Sequence, residues 1–259
     1  IMNFLKKKTN EDISNVIIRD IGCQIGIIIQ MKDDKLNKDY LFNLVNNLDY
    51  DLRYFAIQLD DNGKFTKGKK MIIYKDNFLT LEVNYIDRKL LMLLPDSFYQ
   101  PNINVLDQYY IEFEKWIYES KCRNMINFGD DGGNVCTILS NLFKEIFCYF
   151  HCPSSYKCAK EMIKVNKLSN LKIKFILNEI KLKDAILFIN PGRKGLINEE
   201  IQYILKSDIK FVIYMACNKF AFEKNIKQIN FDVIDCKEIL TMPVINKYQN
   251  LYFCRKKMI

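Results

Sequence analysis

From about residue 104 onward, short apolar runs alternate with longer segments of helical periodicity, and no other feature constrains the fold as strongly. NMINFG, IFCYFH, LKIKFIL, DAILFINPG and KFVIYMAC are rich in β-branched and aromatic residues and read as strands. VLDQYYIEFEKWIYES, VCTILSNLFKEI, SYKCAKEMIKVNKL and INEEIQYILKS read as helices. In the first of them Leu106, Tyr109, Tyr110, Phe113, Trp116 and Ile117 form one apolar stripe. Strands alternating with helices imply an α/β fold with a mostly parallel, doubly wound sheet. Such sheets bind ligands beyond the carboxyl ends of their strands. Three loops are expected there: NFGDDGGN, INPGRKGL and MACNKF.

The chain up to about residue 95 has a different texture. CQIGIIIQM (23–31) reads as a strand, KLNKDYLFNLVNN (35–47) as a helix and LRYFAIQLD as a strand, and MIIYKD, FLTLEVNYID and LLMLLP keep the β character. The expected organisation is a small α+β subdomain over 1–95 and an α/β domain over 96–259. At 259 residues the chain can bury a sizeable core. Hydrophobic residues at 49% and charged residues at 27% exclude a disordered chain.

The net charge of +8 favours a polyanionic partner, of which nucleic acid is the commonest. Lysine is dispersed, and the Asn-, Lys- and Ile-rich composition matches an AT-rich coding bias, so clusters such as KKK and KGKK weigh less than usual. Nine cysteines, an odd number with no secretory signal ahead of them, read as reduced thiols in an intracellular reducing compartment. Three of them surround His151 in IFCYFHCPSSYKC, but this segment lacks the paired CxxC spacing of a tetrahedral site, and no metal is expected. No apolar run approaches the roughly 20 residues of a membrane span. Ile1 ahead of Met2 reads as a cloning scar or the start of an internal fragment, which leaves room for an upstream domain.

Each loop is weak evidence by itself: GDDGGN is not a dinucleotide fingerprint, and a single cysteine after a strand is commonly structural. Together and in order, SFYQPN (97–102), NFGDDGGN (127–134), INPGRKGL (189–196), YMACNKF (214–220) and MPVINKYQNLYF (242–253) resemble the RNA (uracil-5-)-methyltransferase family over roughly residues 20 to 257. The resemblance implies a Rossmann-like S-adenosylmethionine-dependent methyltransferase fold, with tRNA or rRNA as partner. In that family a cysteine thiolate adds to C6 of uracil, which makes C5 nucleophilic toward the methyl group of S-adenosylmethionine. A base then removes the C5 proton so that the cysteine can leave. The matching positions are Cys217 for the nucleophile and Gln249 for the base. Gln100, Gly129, Gly133, Asn134 and Asn190 match cofactor-binding positions, with Tyr149 or Phe150 nearby, and Arg193 and Asn218 match substrate-side ones.

Several positions depart from the family pattern. Gln249 is an amide where the family has glutamate, and loss of a positioned base costs about 100- to 10,000-fold. Asn190 stands for an aspartate, Gly192 for a proline, Gly129 for a bulky residue and Asp131 for a glycine. Tyr149, Phe150 and His151 occupy the region of the acid expected to hold the cofactor ribose. Each lost cofactor hydrogen bond would cost about 1–3 kcal/mol. Two readings follow: a uridine-C5 methyltransferase acting on tRNA or rRNA, or a catalytically inactive relative that binds RNA or serves as a subunit of a ribonucleoprotein. A third, an interaction surface binding neither RNA nor cofactor, ranks below them.

Overall fold

The computed structural model describes residues 13–31, 38–47, 50–59, 71–97, 105–129, 131–242 and 247–257. The first unit is a four-stranded sheet in the order β1-β2-β3-β4, formed by β1 (Ile13–Ile21), β2 (Gln24–Met31), β3 (Asp51–Leu59) and β4 (Met71–Asp76). Strands β1 and β2 form a hairpin that turns at Gly22, where φ is 63°. β2 and β3 run parallel, so the chain between them must cross over, and it does so with helix α1 (Lys38–Asn46). Leu41 and Val45 of α1 close one face of the sheet against Ile25, Ile27, Ile29, Phe55 and Ile57. A separate hairpin follows, β5 (Leu79–Asn84) with β6 (Arg88–Leu93).

The second unit begins with helix α2 (Leu106–Ser120), which buries the expected stripe of Leu106, Tyr109, Tyr110, Phe113, Trp116 and Ile117. A seven-stranded sheet comes next, in the order β12-β13-β11-β10-β7-β8-β9. Its parallel members are β7 (Asn124–Gly129), β8 (Glu145–Tyr149), β9 (Leu171–Lys174), β10 (Ala185–Asn190) and β11 (Phe211–Ala216). Helices α3 (Asn134–Ile138) and α4 (Pro153–Val165) follow β7 and β8 and join α2 on one face. Helices α5 (Asn198–Lys206) and α6 (Lys219–Ile229) follow β10 and β11 and cover the other. The α/β, Rossmann-like arrangement expected from the alternation is therefore present. Among the described residues no helix is long and apolar enough to cross a membrane.

One local expectation is corrected. The helix read over VCTILSNLFKEI stops at Ile138, continues only as a 3₁₀ turn over Ser140–Leu142, and gives way to β8 at Glu145. Asn170 explains the stop: its side-chain amide donates to the carbonyls of Ser140 and Phe143, both at 2.9 Å, and holds the chain in a turn. The sheet also carries an antiparallel edge, since β12 (Phe231–Met242) and β13 (Lys247–Lys256) form a hairpin and β13 pairs antiparallel to β11.

One apolar core runs through both units. Ile28, Tyr54 and Ala56 of the first sheet, Leu91 and Leu93 of the β5–β6 hairpin, and Phe113, Trp116, Phe188 and Phe253 belong to the same cluster. Trp116 stacks on Phe253 at 5.7 Å, and its indole N–H donates to the Asp235 carboxylate at 3.0 Å. That bond, with a stronger one from Lys115, holds the Asp235 carboxyl below its ordinary value. Trp116→Ala is expected to destabilise the protein by about 3–5 kcal/mol, as read from the shift of a urea unfolding midpoint.

Candidate active site

The strand order reverses at β7: the chain moves outward through β8 and β9, then returns to β10 and β11 on the other side. The crevice for a ligand is thus expected above the adjoining ends of β7 and β10. Those ends are Gly129 and Asn190, which face each other in register. Gly129 has φ of 137°, and an added Cβ would collide with the carbonyl oxygen of Asn190. No side chain fits at 129 while the two strands stay paired there, which accounts for glycine at this position.

The loop after β7 folds onto its own acid. Asp131 is buried; its Oδ1 accepts from the backbone N–H of Gly133 at 3.0 Å and from Asn127 Nδ2 at 3.3 Å. Its Oδ2 accepts from the Val135 N–H at 3.3 Å, and its carbonyl accepts from Asn134 Nδ2. The donors that open α3 are therefore turned inward to Asp131. Gly133, with φ of 82°, faces α4, where an added Cβ would press on Ala159 and lie near the Phe150 ring. On the far side β8 ends at Tyr149, whose ring meets Phe128 and His151 edge-on. His151 Nε2 lies 3.1 Å from the buried Glu200 carboxylate, and Glu200 in turn accepts from the Ile197 N–H at the start of α5. Burial first, then the charges of Glu199 and Glu200, push the Tyr149 phenol up.

The nucleophile and base positions meet. Cys217 follows β11 and is exposed; Gln249 lies on β13 and is buried. Gln249 Nε2 donates to Cys217 Sγ at 3.6 Å, and Gln249 Oε1 accepts from the Tyr109 hydroxyl at 2.8 Å. The Tyr109 phenol is held well above its ordinary value, mainly by burial and further by the charge of Cys217. Asn218 caps α6: its Oδ1 accepts from the Phe220 N–H at 3.0 Å and the Ala221 N–H at 3.5 Å. Its Nδ2 donates to the Arg193 carbonyl at 3.3 Å, so this side chain fastens the NPGRKG turn to the cysteine loop while the Arg193 side chain faces solvent.

Asn134, Asn190, Asp131 and Tyr109 line one cavity together with Met215 and Phe113, and its volume is about 30 Å³. The donors that would meet a cofactor at this edge, the N–H groups of Gly133 and Val135, are already taken by Asp131. Gln100 lies outside the described residues; Ser97, at the start of the same motif, is buried and caps Leu94 through both its hydroxyl and its N–H. The cysteines around His151 go separate ways: Cys148 packs on Cys136, with sulfurs 3.1 Å apart, and His151 turns to Glu200. No metal-binding group of three ligands is assembled among the described residues. Tyr109 is the site residue that sequence reading left in the core stripe. No local signal separates it from its neighbours, because its partner lies 140 residues away.

The strand order and the ligand edge define a Rossmann-like methyltransferase fold. No known protein-family profile matches the chain. It is 25% identical over 225 residues to an uncharacterized RNA methyltransferase of Clostridium tetani, covering 82% of this chain and 49% of the relative. It is 24% identical over 193 residues to the 23S rRNA (uracil(747)-C(5))-methyltransferase of Xenorhabdus nematophila, covering 71% and 50%. The fold matches the crystal structure of the Pyrococcus abyssi tRNA (uracil-54, C5)-methyltransferase in complex with S-adenosyl-L-homocysteine, with a TM-score of 0.61 at 12% identity, covering 89% of this chain and 56% of that one. The chain is similar, at low identity, to RNA methyltransferases that include uracil-C5 enzymes. It spans about half the length of the curated relatives it matches.

Gly129→Ala is expected to cost at least about 1–3 kcal/mol from backbone strain alone, read by urea unfolding. Gly192→Ala, where an added Cβ meets nothing within 4 Å, should leave the midpoint nearly unchanged.

Proposed function

We propose that the protein binds RNA at the Cys217 edge of its methyltransferase-like sheet and does not turn over as a uracil-C5 methyltransferase. One observation carries this reading: Gln249, in the position of the proton-removing base, is an amide spanned between the Tyr109 hydroxyl and the Cys217 sulfur. An amide lacks the basicity to take the C5 proton near neutral pH, and this one is held as a donor toward the sulfur. Asp131, the acid lining the adjoining cavity, has both oxygens engaged by Gly133, Asn127 and Val135. The inward-turned loop of α3 weighs the same way for the cofactor. The +8 net charge and the RNA methyltransferase relatives support tRNA or rRNA as the partner, alone or within a ribonucleoprotein. In this reading residues 1–95 form a small α+β unit beside a methyltransferase-like unit over 96–259.

Methyl transfer to uridine C5 is the competing reading. Its support is the meeting of Cys217 and Gln249, which keeps the two reaction positions together.

The full chain, incubated with S-adenosylmethionine and tRNA or rRNA fragments, is expected to yield no 5-methyluridine above background. It should bind the same RNA with an affinity that falls steeply with salt, and Cys217→Ala should bind within about twofold of wild type. Multiple-turnover methylation abolished by Cys217→Ala would overturn the proposal, as would RNA affinity that ignores salt.

A further inference from the structure

Phe220 is 83% exposed, the most exposed large hydrophobic side chain among the described residues. The inner face of α6 is already filled by Phe222, Asn225, Ile226 and Ile229, and Phe222 stacks on Tyr252 with centroids 3.6 Å apart. Packing therefore gives no reason for an aromatic ring at 220. Its position does: the Asn218 cap holds Phe220 in the first turn of α6, three residues past Cys217. A second ring reaches solvent at the same rim. Ala216 pairs with Asn250, which puts Tyr248 two residues further along β13, on the strand face shared with Tyr252 and α6, and Tyr248 is 47% exposed. Arg193, Lys194 and Lys219 are exposed, Lys219 next to Phe220 in the chain, and the bond from Asn218 to the Arg193 carbonyl holds the basic turn beside the start of α6.

We propose that Phe220 is a nucleobase-stacking platform for single-stranded RNA, with Arg193, Lys194 and Lys219 meeting the phosphates on either side. The inference rests on the RNA-binding reading above and assigns the residues that do the binding. A base in single-stranded RNA lacks a neighbour on at least one of its faces. A flat, rigid ring at the rim covers that face, and it does so for any base because each has a π surface. The neighbouring cations act on the backbone and carry no sequence information.

The test uses the full chain and a fluorescein-labelled single-stranded oligoribonucleotide containing uridine. Phe220→Ala and Phe220→Leu are expected to weaken binding on the order of 5- to 150-fold with the salt slope unchanged, since they remove stacking and no charge. Lys219→Ala should instead lower the salt slope by about one. Phe220→Trp should bind as wild type, and its indole fluorescence should be quenched by RNA; the single native tryptophan, Trp116, is buried and reports little of the rim. The platform is refuted if wild type binds RNA and Phe220→Ala binds within twofold of it, if leucine substitutes for the ring without loss, or if Phe220→Trp shows no quenching. Absence of RNA binding by the wild-type chain refutes the RNA reading itself, and this inference with it.

Discussion

The reactive edge depends on how helix α2 is seated. Its apolar stripe enters the core between the large sheet and the β5–β6 hairpin, with Phe113 edge-on to Phe188 of β10 and Trp116 stacked on Phe253 of β13. Those contacts set the rotation of the helix. The rotation in turn aims the Tyr109 hydroxyl at Gln249, four residues before Phe253 on the same strand. A helix is rigid over this length, so apolar packing near its middle and end determines the polar geometry near its start. Asp235, bonded to Lys115 and Trp116, fastens the same helix to β12 from outside.

The cofactor side and the nucleophile side of the crevice differ in what became of them. On the proposed nucleophile side Cys217 is exposed, Asn218 holds two loops together, and Arg193, Lys194 and Lys219 are exposed in the adjoining chain. On the proposed cofactor side Asp131 draws in the loop donors and His151 lies against Glu200. The combination of an internalised cofactor side and an exposed aromatic and basic rim is the physical basis for reading the protein as an RNA binder.

Much of this is legible in the sequence. The strand–helix alternation after residue 104 has a physical period, and it predicts β7 to β11 with helices α2, α4 and α5. The order of motifs located Cys217 and Gln249, which the fold brings to 3.6 Å. The short α3 was not legible, because the residue that stops it, Asn170, is distant in sequence and acts through two carbonyls. Strand β12 was missed as well. FDVIDCKEIL is a solvent-facing strand with charges on it, and its pairing with β13 supplies the order that its composition lacks.

The sequence by itself determined the layered α/β class, the edge at which a ligand would lie and the residue types at the nucleophile and base positions. The class and the edge follow from periodicity, and the two positions from the resemblance that the ordered motifs carry. Only the tertiary structure decided which way those side chains turn: that Asp131 faces its own loop, that Tyr109 turns its hydroxyl from the buried stripe to Gln249, and that Phe220 is exposed three residues past Cys217. Orientation of this kind depends on partners far away in the chain, and the free energy that selects it comes from packing the whole core at once.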